Sequence, residues 1–262
     1  KDRILTLLGY SQQSLGNIDR AIAFHLEALD MARSAEDRPC EIANLNHLGR
    51  TYAAQKQYDA AIGKSQRALI LARQLGDRLG EANASSNLGY AQVLQAQELE
   101  QMETEVYEGA IGYLDRGLQL AQKLGDRQSL SLCYLSLGMA YTLSGQAQTA
   151  ISYLTKAVEA SRAVGDLYWQ GMSFTYLAEA YYSVGQRSAA VVAAWLAVYL
   201  LDRIESSQWR QPAGLLSILQ GQMGADAFEQ CRVQHRAQLI AEISGDGYEE
   251  LPRLLKKYQE LR

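Results

Sequence analysis

Leu124-Gly125-Asp126-Arg127 opens the stretch that decides the fold, and residues 128–158 complete it. Behind the tetrapeptide runs an apolar ladder at Leu130, Tyr134, Leu137 and Tyr141. After a break at Ser144-Gly145-Gln146 a second ladder follows, at Ala147, Ala150, Ile151, Leu154, Ala157 and Val158. Steps of three and four place each ladder on one face of a helix. Gly125 suits the left-handed conformation that ends a helix, and the Asp126 carboxylate suits the first N–H groups of the next. Gly138, Ala150 and Ala157 lack bulk where two antiparallel helices must approach closely. The unit is a helical hairpin.

Working outward, the hairpin recurs. Its Leu-Gly pair stands at Leu8-Gly9, Leu48-Gly49, Leu88-Gly89 and Leu137-Gly138 and becomes Leu177-Ala178 in the last copy, at intervals of 40, 40, 49 and 40 residues. The alanine twelve residues after the glycine returns as Ala21, Ala61, Ala150 and Ala190. The next small residue, seven further on, returns as Ala28, Ala68, Ala157 and Ala197. Copy three fits with Ala110 and Gly117 once nine inserted residues are allowed. The joint reappears as Gly76-Asp77 and Gly165-Asp166, with Glu36-Asp37 as a weaker version. This is an internal repeat, and the fold class it predicts is all-α.

These residues resemble the tetratricopeptide repeat, with Leu-Gly, an aromatic three residues on (Tyr52, Tyr141, Tyr181) and two small residues on the second helix. Gln12 and Gln92 depart from the aromatic place. The 40-residue period with Leu-Gly-Asp-Arg joints is similar to the longer-helix branch, as in kinesin light chains, the adaptor LGN and many bacterial, especially cyanobacterial, proteins. The resemblance covers residues 1–204 and implies a right-handed αα superhelix of five hairpins. It implies little about function, because such repeats host unrelated tasks.

Composition narrows the classes. A net charge of -4 argues against nucleic acid, which wants a basic face. No apolar run reaches the roughly 20 residues that span a bilayer, so direct membrane insertion is not expected. Cys40, Cys133 and Cys231 are odd in number and far apart, with neither disulfide nor zinc spacing, which fits a reducing, cytoplasmic setting. The chain starts at Lys1, about a turn late relative to the other copies, and further sequence upstream is expected, another repeat being one form of it.

The inserted Gln95–Tyr107 carries Glu98, Glu100, Glu103 and Glu105, with Glu108 next to it, has neither Gly nor Pro, and reads as extensions of the third hairpin's helices by one to two turns. The helix Ala189–Leu201 is apolar on nearly all sides and must be covered. Residues 205–262 drop the repeat spacing and are the expected helical cap, with a partner-binding or membrane-surface helix as the alternative. Helices are predicted around Leu215, Leu216, Ile218 and Leu219, then around Phe228, Val233, Leu239 and Ile240. Gly245-Asp246-Gly247 reads as a turn before a last helix with Leu251, Leu254, Leu255, Tyr258 and Leu261 on one face and Arg253, Lys256, Lys257 and Arg262 around it.

No catalytic constellation emerges. His25, His47 and His235 stand on different units without ligands at metal spacing, and the glycines mark helix joints rather than a phosphate-binding loop. Neither an enzyme, nor a metal, nor a cofactor is expected. What remains is surface. The resemblance implies that first helices line an inner groove, with inward positions just after the glycine and three and six before it. Copy one then offers Arg3, Thr6 and Tyr10; copy two Ala43, Asn46 and Arg50 beside His47; copy three Asn83, Ser86 and Tyr90 beside Asn87. Copy four offers Leu132, Leu135 and Met139, and copy five Met172, Thr175 and Glu179 beside Tyr176 and Tyr182. Amides and a guanidinium in the early half suit a peptide backbone and an acidic group. The later half reads as an adaptable apolar floor.

The expected partner is therefore a peptide or helix with one acidic, polar end and one apolar end. Asn87, before Leu88-Gly89, matches the backbone-gripping asparagine of the kinesin-light-chain branch. The chaperone-tail clamp of other members needs Lys and Asn where this chain has Thr6 and Tyr10, and is not expected. Two functions fit: a non-catalytic adaptor or assembly factor, or the sensory arm of a larger signalling or transcription regulator. Self-association through the start of the array is a third outcome open at this level.

Overall fold

The computed structural model describes residues 2–14, 17–101 and 104–261, and Glu103 and Arg262 lie outside them. Among the described residues the chain is helix and short connection throughout, the expected all-α repeat. Five hairpins come first: α1 (Asp2–Ser14) with α2 (Ile18–Ser34), α3 (Arg38–Ala54) with α4 (Tyr58–Leu75), α5 (Arg78–Glu98) with α6 (Thr104–Leu124), α7 (Arg127–Leu143) with α8 (Ala147–Val164), and α9 (Leu167–Ser183) with α10 (Arg187–Arg203). A 3-10 turn (Ser207–Trp209) leads to α11 (Arg210–Met223), α12 (Ala225–Gln234) and α13 (Arg236–Glu260). The molecule divides within α7 into two compact units, residues 1–136 and 137–262.

The joints form for the reasons their residues dictate. Gly76, Gly125 and Gly165 adopt φ of 68°, 67° and 71°, the left-handed region that a side chain disfavours. The aspartate after each glycine caps the next helix: Asp77 accepts from Gly80 N at 2.9 Å, Asp126 from Ser129 N at 3.2 Å and Asp166 from Trp169 N at 2.9 Å. In the weaker joint Glu36 takes φ 54° without being glycine, while Asp37 still caps Cys40 N at 3.1 Å. Close approach also works as read. A Cβ on Gly89 would stand 2.5 Å from Leu114 Cγ and 2.9 Å from the Ala110 carbonyl, so only glycine fits there without a shift.

In the first unit each helix from α1 to α5 packs on the next, and α3 touches α1 and α5 as well as its own partner. The core between α2 and α5 is Leu29, Ile42, Leu45, Leu48, Leu69, Leu71 and Leu88, with Ala68, Ala72 and Ala84 where backbones come close. Two carboxylates are buried at the joints. Glu41 accepts from Arg33 at 3.0 Å and Arg38 at 2.7 Å; Glu81 accepts from Arg73 at 3.2 Å and Arg116 at 3.0 Å. Burial would raise both carboxyl pKa values, but the paired guanidiniums outweigh it and hold them below the usual glutamate value. The insert extends α5 and α6, and the Tyr107 hydroxyl donates to the Gln101 carbonyl at 2.6 Å across the elbow.

In the second unit α10 is surrounded, as its all-round apolarity requires. It touches α9, α11, α12 and α13, Trp195 is 1% exposed, and its ring lies 5.9 Å from that of Phe228. Two expectations for the C-terminal helices need correction. The chain does not turn at Gly245-Asp246-Gly247: the break is at Ser244 (φ 69°, ψ 170°), whose hydroxyl accepts from Gly247 N at 3.3 Å and restarts the helix. Leu251, Leu254 and Leu255 are buried, but Leu261, past the last turn, is 59% exposed, and Ile218 and Val233 also face outward.

Candidate functional site

Within the first unit α3, α5 and the start of α7 enclose a concavity of about 370 Å³. Asn46, His47 and Arg50 enter from α3, Asn83 and Asn87 from α5, and Gln128 from α7. All of these but Gln128 were chosen by repeat register, as was Ala43, and they line one space. Gln128 was missed, although the register held the signal. It sits ten residues before Gly138, as Pro39 and Leu79 sit ten before Gly49 and Gly89, and all three line the concavity.

Two asparagines clasp neighbouring helices. Asn46 of α3 donates to the Gly80 carbonyl of α5 at 3.4 Å, and Asn87 of α5 donates to the Asn46 carbonyl of α3 at 3.2 Å. The amide groups are thereby held in place, while Asn87 Oδ1 has no hydrogen-bond donor among the described residues. Asn83 donates to the Leu79 carbonyl at 3.0 Å and accepts from Ser129 Oγ at 3.1 Å.

Behind this face lies a stack of imidazoles. The His47 ring is parallel to that of His25, 4.8 Å away and 6° apart, and Tyr10 tilts against His47 at 5.9 Å. His25 Nδ1 lies 3.0 Å from Asn44 Oδ1. Since Asn44 Nδ2 donates to the Cys40 carbonyl, its oxygen is the acceptor and His25 Nδ1 carries the proton. Arg50 donates to His47 Nδ1 at 3.4 Å. Burial first, then the Arg50 charge, then His25, push the His47 pKa down to about 3; burial also lowers that of His25. Both rings are neutral at pH 7. Arg50 is the one Arg or Lys among the described residues lining the pocket, and Asp77, which caps α5, lines it too.

The remaining chosen residues lie elsewhere. Tyr10 is exposed beside His47, Tyr90 is buried along α5, and Leu132 and Leu135 are buried along α7. In the second unit Met139 and Tyr176 are 1% exposed and Met172 is 6% exposed, too little surface for an open floor. Glu179 accepts from Gln211 of α11 at 2.8 Å, and burial raises its pKa despite that bond. The C-terminal helix α11 packs on α9, a contact that repeat register alone does not reveal. Among the described residues no group of three His, Cys, Asp or Glu is placed to hold a metal, and no helix is long and apolar enough to cross a membrane.

Tetratricopeptide repeat models match residues 2–69 and 132–164. Among curated proteins, human G-protein-signaling modulator 1 is 35% identical over 85 residues, and the rat protein of that name is 36% identical over 84. Each alignment covers 32% of this chain, which spans 12% of the length of either relative. Among solved structures, the nearly identical TPR-like repeats of a Podosopora anserina kinesin light chain superpose with a TM-score of 0.53 at 18% identity, over 78% of this chain and 95% of that one. The apo form of RapI gives 0.56 at 13% identity, over 98% of this chain and 74% of that one. At such identities these likenesses speak for the fold alone. Repeats of this kind generally mediate protein–protein interaction and are typically non-catalytic scaffolds. The matched models, the hairpin register and the helical architecture together support a tetratricopeptide repeat protein.

Proposed function

We propose that this protein is a non-catalytic adaptor that holds an extended segment of a partner protein in the concavity between α3, α5 and α7. The observation that carries the reading is the convergence of Asn46, His47, Arg50, Asn83 and Asn87 on one space, with the two clasping amides already fixed. Pre-fixed polar groups cost little ordering when a ligand arrives. Asn87 Oδ1 is placed to accept from a peptide N–H, and Arg50 to meet an acidic side chain or terminus. The buried Met139, Met172 and Tyr176 contribute no apolar floor, so the acidic and polar end of the segment supplies the recognition. The protein works inside the cell, where its three cysteines stay reduced.

The test starts from peptides selected on the intact chain from a random library and measured by calorimetric titration. Replacing Asn87 and Arg50 together by alanine should weaken binding by roughly 1–3 kcal/mol, the range for lost polar contacts, with helical content unchanged. Selected peptides should be rich in Asp or Glu. An unchanged affinity in the double variant sinks the assignment.

A further inference from the structure

A second cavity lies in the C-terminal unit. α9 and α10, with the junction of α12 and α13, border an open pocket of about 730 Å³, within the range of roughly 300–1,000 Å³ that small-molecule sites occupy. Its walls are apolar: Phe174 and Leu177 from α9, Val192, Ala193 and Leu196 from α10. Its mouth is polar and includes Arg187, Ser188, His235 and Gln238, and no carboxylate lines any part of it.

The repeat shows why the space exists. Three residues after the first small residue of the second helix, the four earlier copies carry Phe24, Lys64, Tyr113 and Tyr153; the fifth carries Ala193. Six residues after it, the earlier copies carry Glu27, Arg67, Arg116 and Lys156, all exposed; the fifth carries Leu196, 2% exposed. One departure removes bulk and the other removes charge, so α10 presents an apolar hollow where its counterparts present large or charged side chains. At the mouth, Arg187 forms no ion pair among the described residues, although the arginines in the last turns of α2, α4 and α8 are paired. His235 Nδ1 donates to the Cys231 carbonyl at 2.9 Å, which fixes the ring and leaves Nε2 as its remaining polar atom.

We propose that this cavity binds a small anionic amphiphile, with a medium-chain carboxylate as the simplest form. The alkyl chain lies among Phe174, Leu177, Val192 and Leu196, and the head group meets Arg187. The charge balance of the lining selects the head, because burying an apolar tail satisfies the walls while a neutral head leaves the one charged group at the mouth without a counter-ion. The inference is independent of the peptide concavity, which lies in the other unit.

Calorimetric titration of the intact chain with decanoate, below its micelle concentration, should give saturable one-to-one binding. Ala193→Tyr restores the side chain of the third and fourth copies and should abolish it. Arg187→Gln should weaken it roughly tenfold, the range for losing a hydrogen bond to a charged group, and decanol should bind the native protein about as weakly as decanoate binds that variant. Arg187 is exposed, so its variant remains decisive even if Ala193→Tyr unfolds. Absence of saturable decanoate binding, binding that survives Ala193→Tyr in a folded protein, or equal affinity for decanol and decanoate would each overturn the proposal.

Discussion

The arginine eight residues before the buried joint position serves different ends in the two units. In the first, Arg33 and Arg73 turn to Glu41 and Glu81 on the following helix, and each carboxylate receives a second arginine. In the second, the joint position is Gln170, and Arg162 turns instead to Glu242 of α13, at 2.6 and 2.8 Å from its two carboxylate oxygens. A carboxylate exchanged for an amide thus releases an arginine from joining repeats to holding the C-terminal helices. The scaffold position is the same, and its partner is set by one residue.

The sharpest way to test that contrast is to remove the buried carboxylate. Glu41→Ala should destabilise the first unit by about 3 kcal/mol, near the lower end for breaking a buried ion pair, because the stranded Arg33 and Arg38 are half-exposed and regain water. Hydrogen exchange across α2 and α3 would measure it, and a loss under 1 kcal/mol would show that the joint does not depend on the pair.

Acid should separate the units next. His47 is held neutral far below the unfolded imidazole value, so the unfolded chain binds more protons between pH 6.5 and 3, and stability falls as pH drops through that window. From pH 7 to 5 the first unit should lose about 2 kcal/mol. The depressed Glu41 and Glu81 act in the same direction at lower pH: their contribution is present above the unfolded carboxyl value and is lost as pH falls through the folded one. Glu179 has the opposite sign. Its raised pKa favours the protonated form in the folded state, so the second unit gains on acidification through that window. Trp169, Trp195 and Trp209 all lie in the second unit. Far-ultraviolet dichroism should therefore decline at a higher pH than tryptophan fluorescence changes, and His47→Gln should narrow the gap. Coincident transitions in the native chain would contradict the assignment.

The smallest effect is a graft. Gln170→Glu should draw Arg162 back to the joint and loosen Glu242, costing α13 at most about 1 kcal/mol, since half-exposed pairs are worth little. Faster exchange at the start of α13 without change in α9 is the expected pattern; slower exchange there would reverse the reading.

Much of this was legible because the repeat carries its own controls. Gly76-Asp77, Gly125-Asp126 and Gly165-Asp166 announced the joints, and the missing Gly and Pro between Gln95 and Tyr107 announced longer helices. Past residue 204 the controls stop. Gly245 and Gly247 looked like a turn, yet a Cβ on Gly247 would stand 2.7 Å from the Tyr199 ring, so that glycine serves close packing and the break falls one residue earlier, at Ser244. The same limit governs the site. Asn46, Asn83 and Asn87 followed from register because their surroundings are other repeats, whereas the burial of Tyr176 and the capture of Glu179 by Gln211 involve a segment with no repeat to compare.

The crossed bonds between α3 and α5 carry a mechanical consequence. Asn46 and Asn87 each grip the opposite helix's main chain, and together they act as a gauge for the gap between the two rods. A guest that only donates to Asn87 Oδ1 leaves the gauge set; one that accepts the amide hydrogens unbuttons it. Occupancy of the second kind would then register as a change in the spacing of α3 and α5 within the first unit.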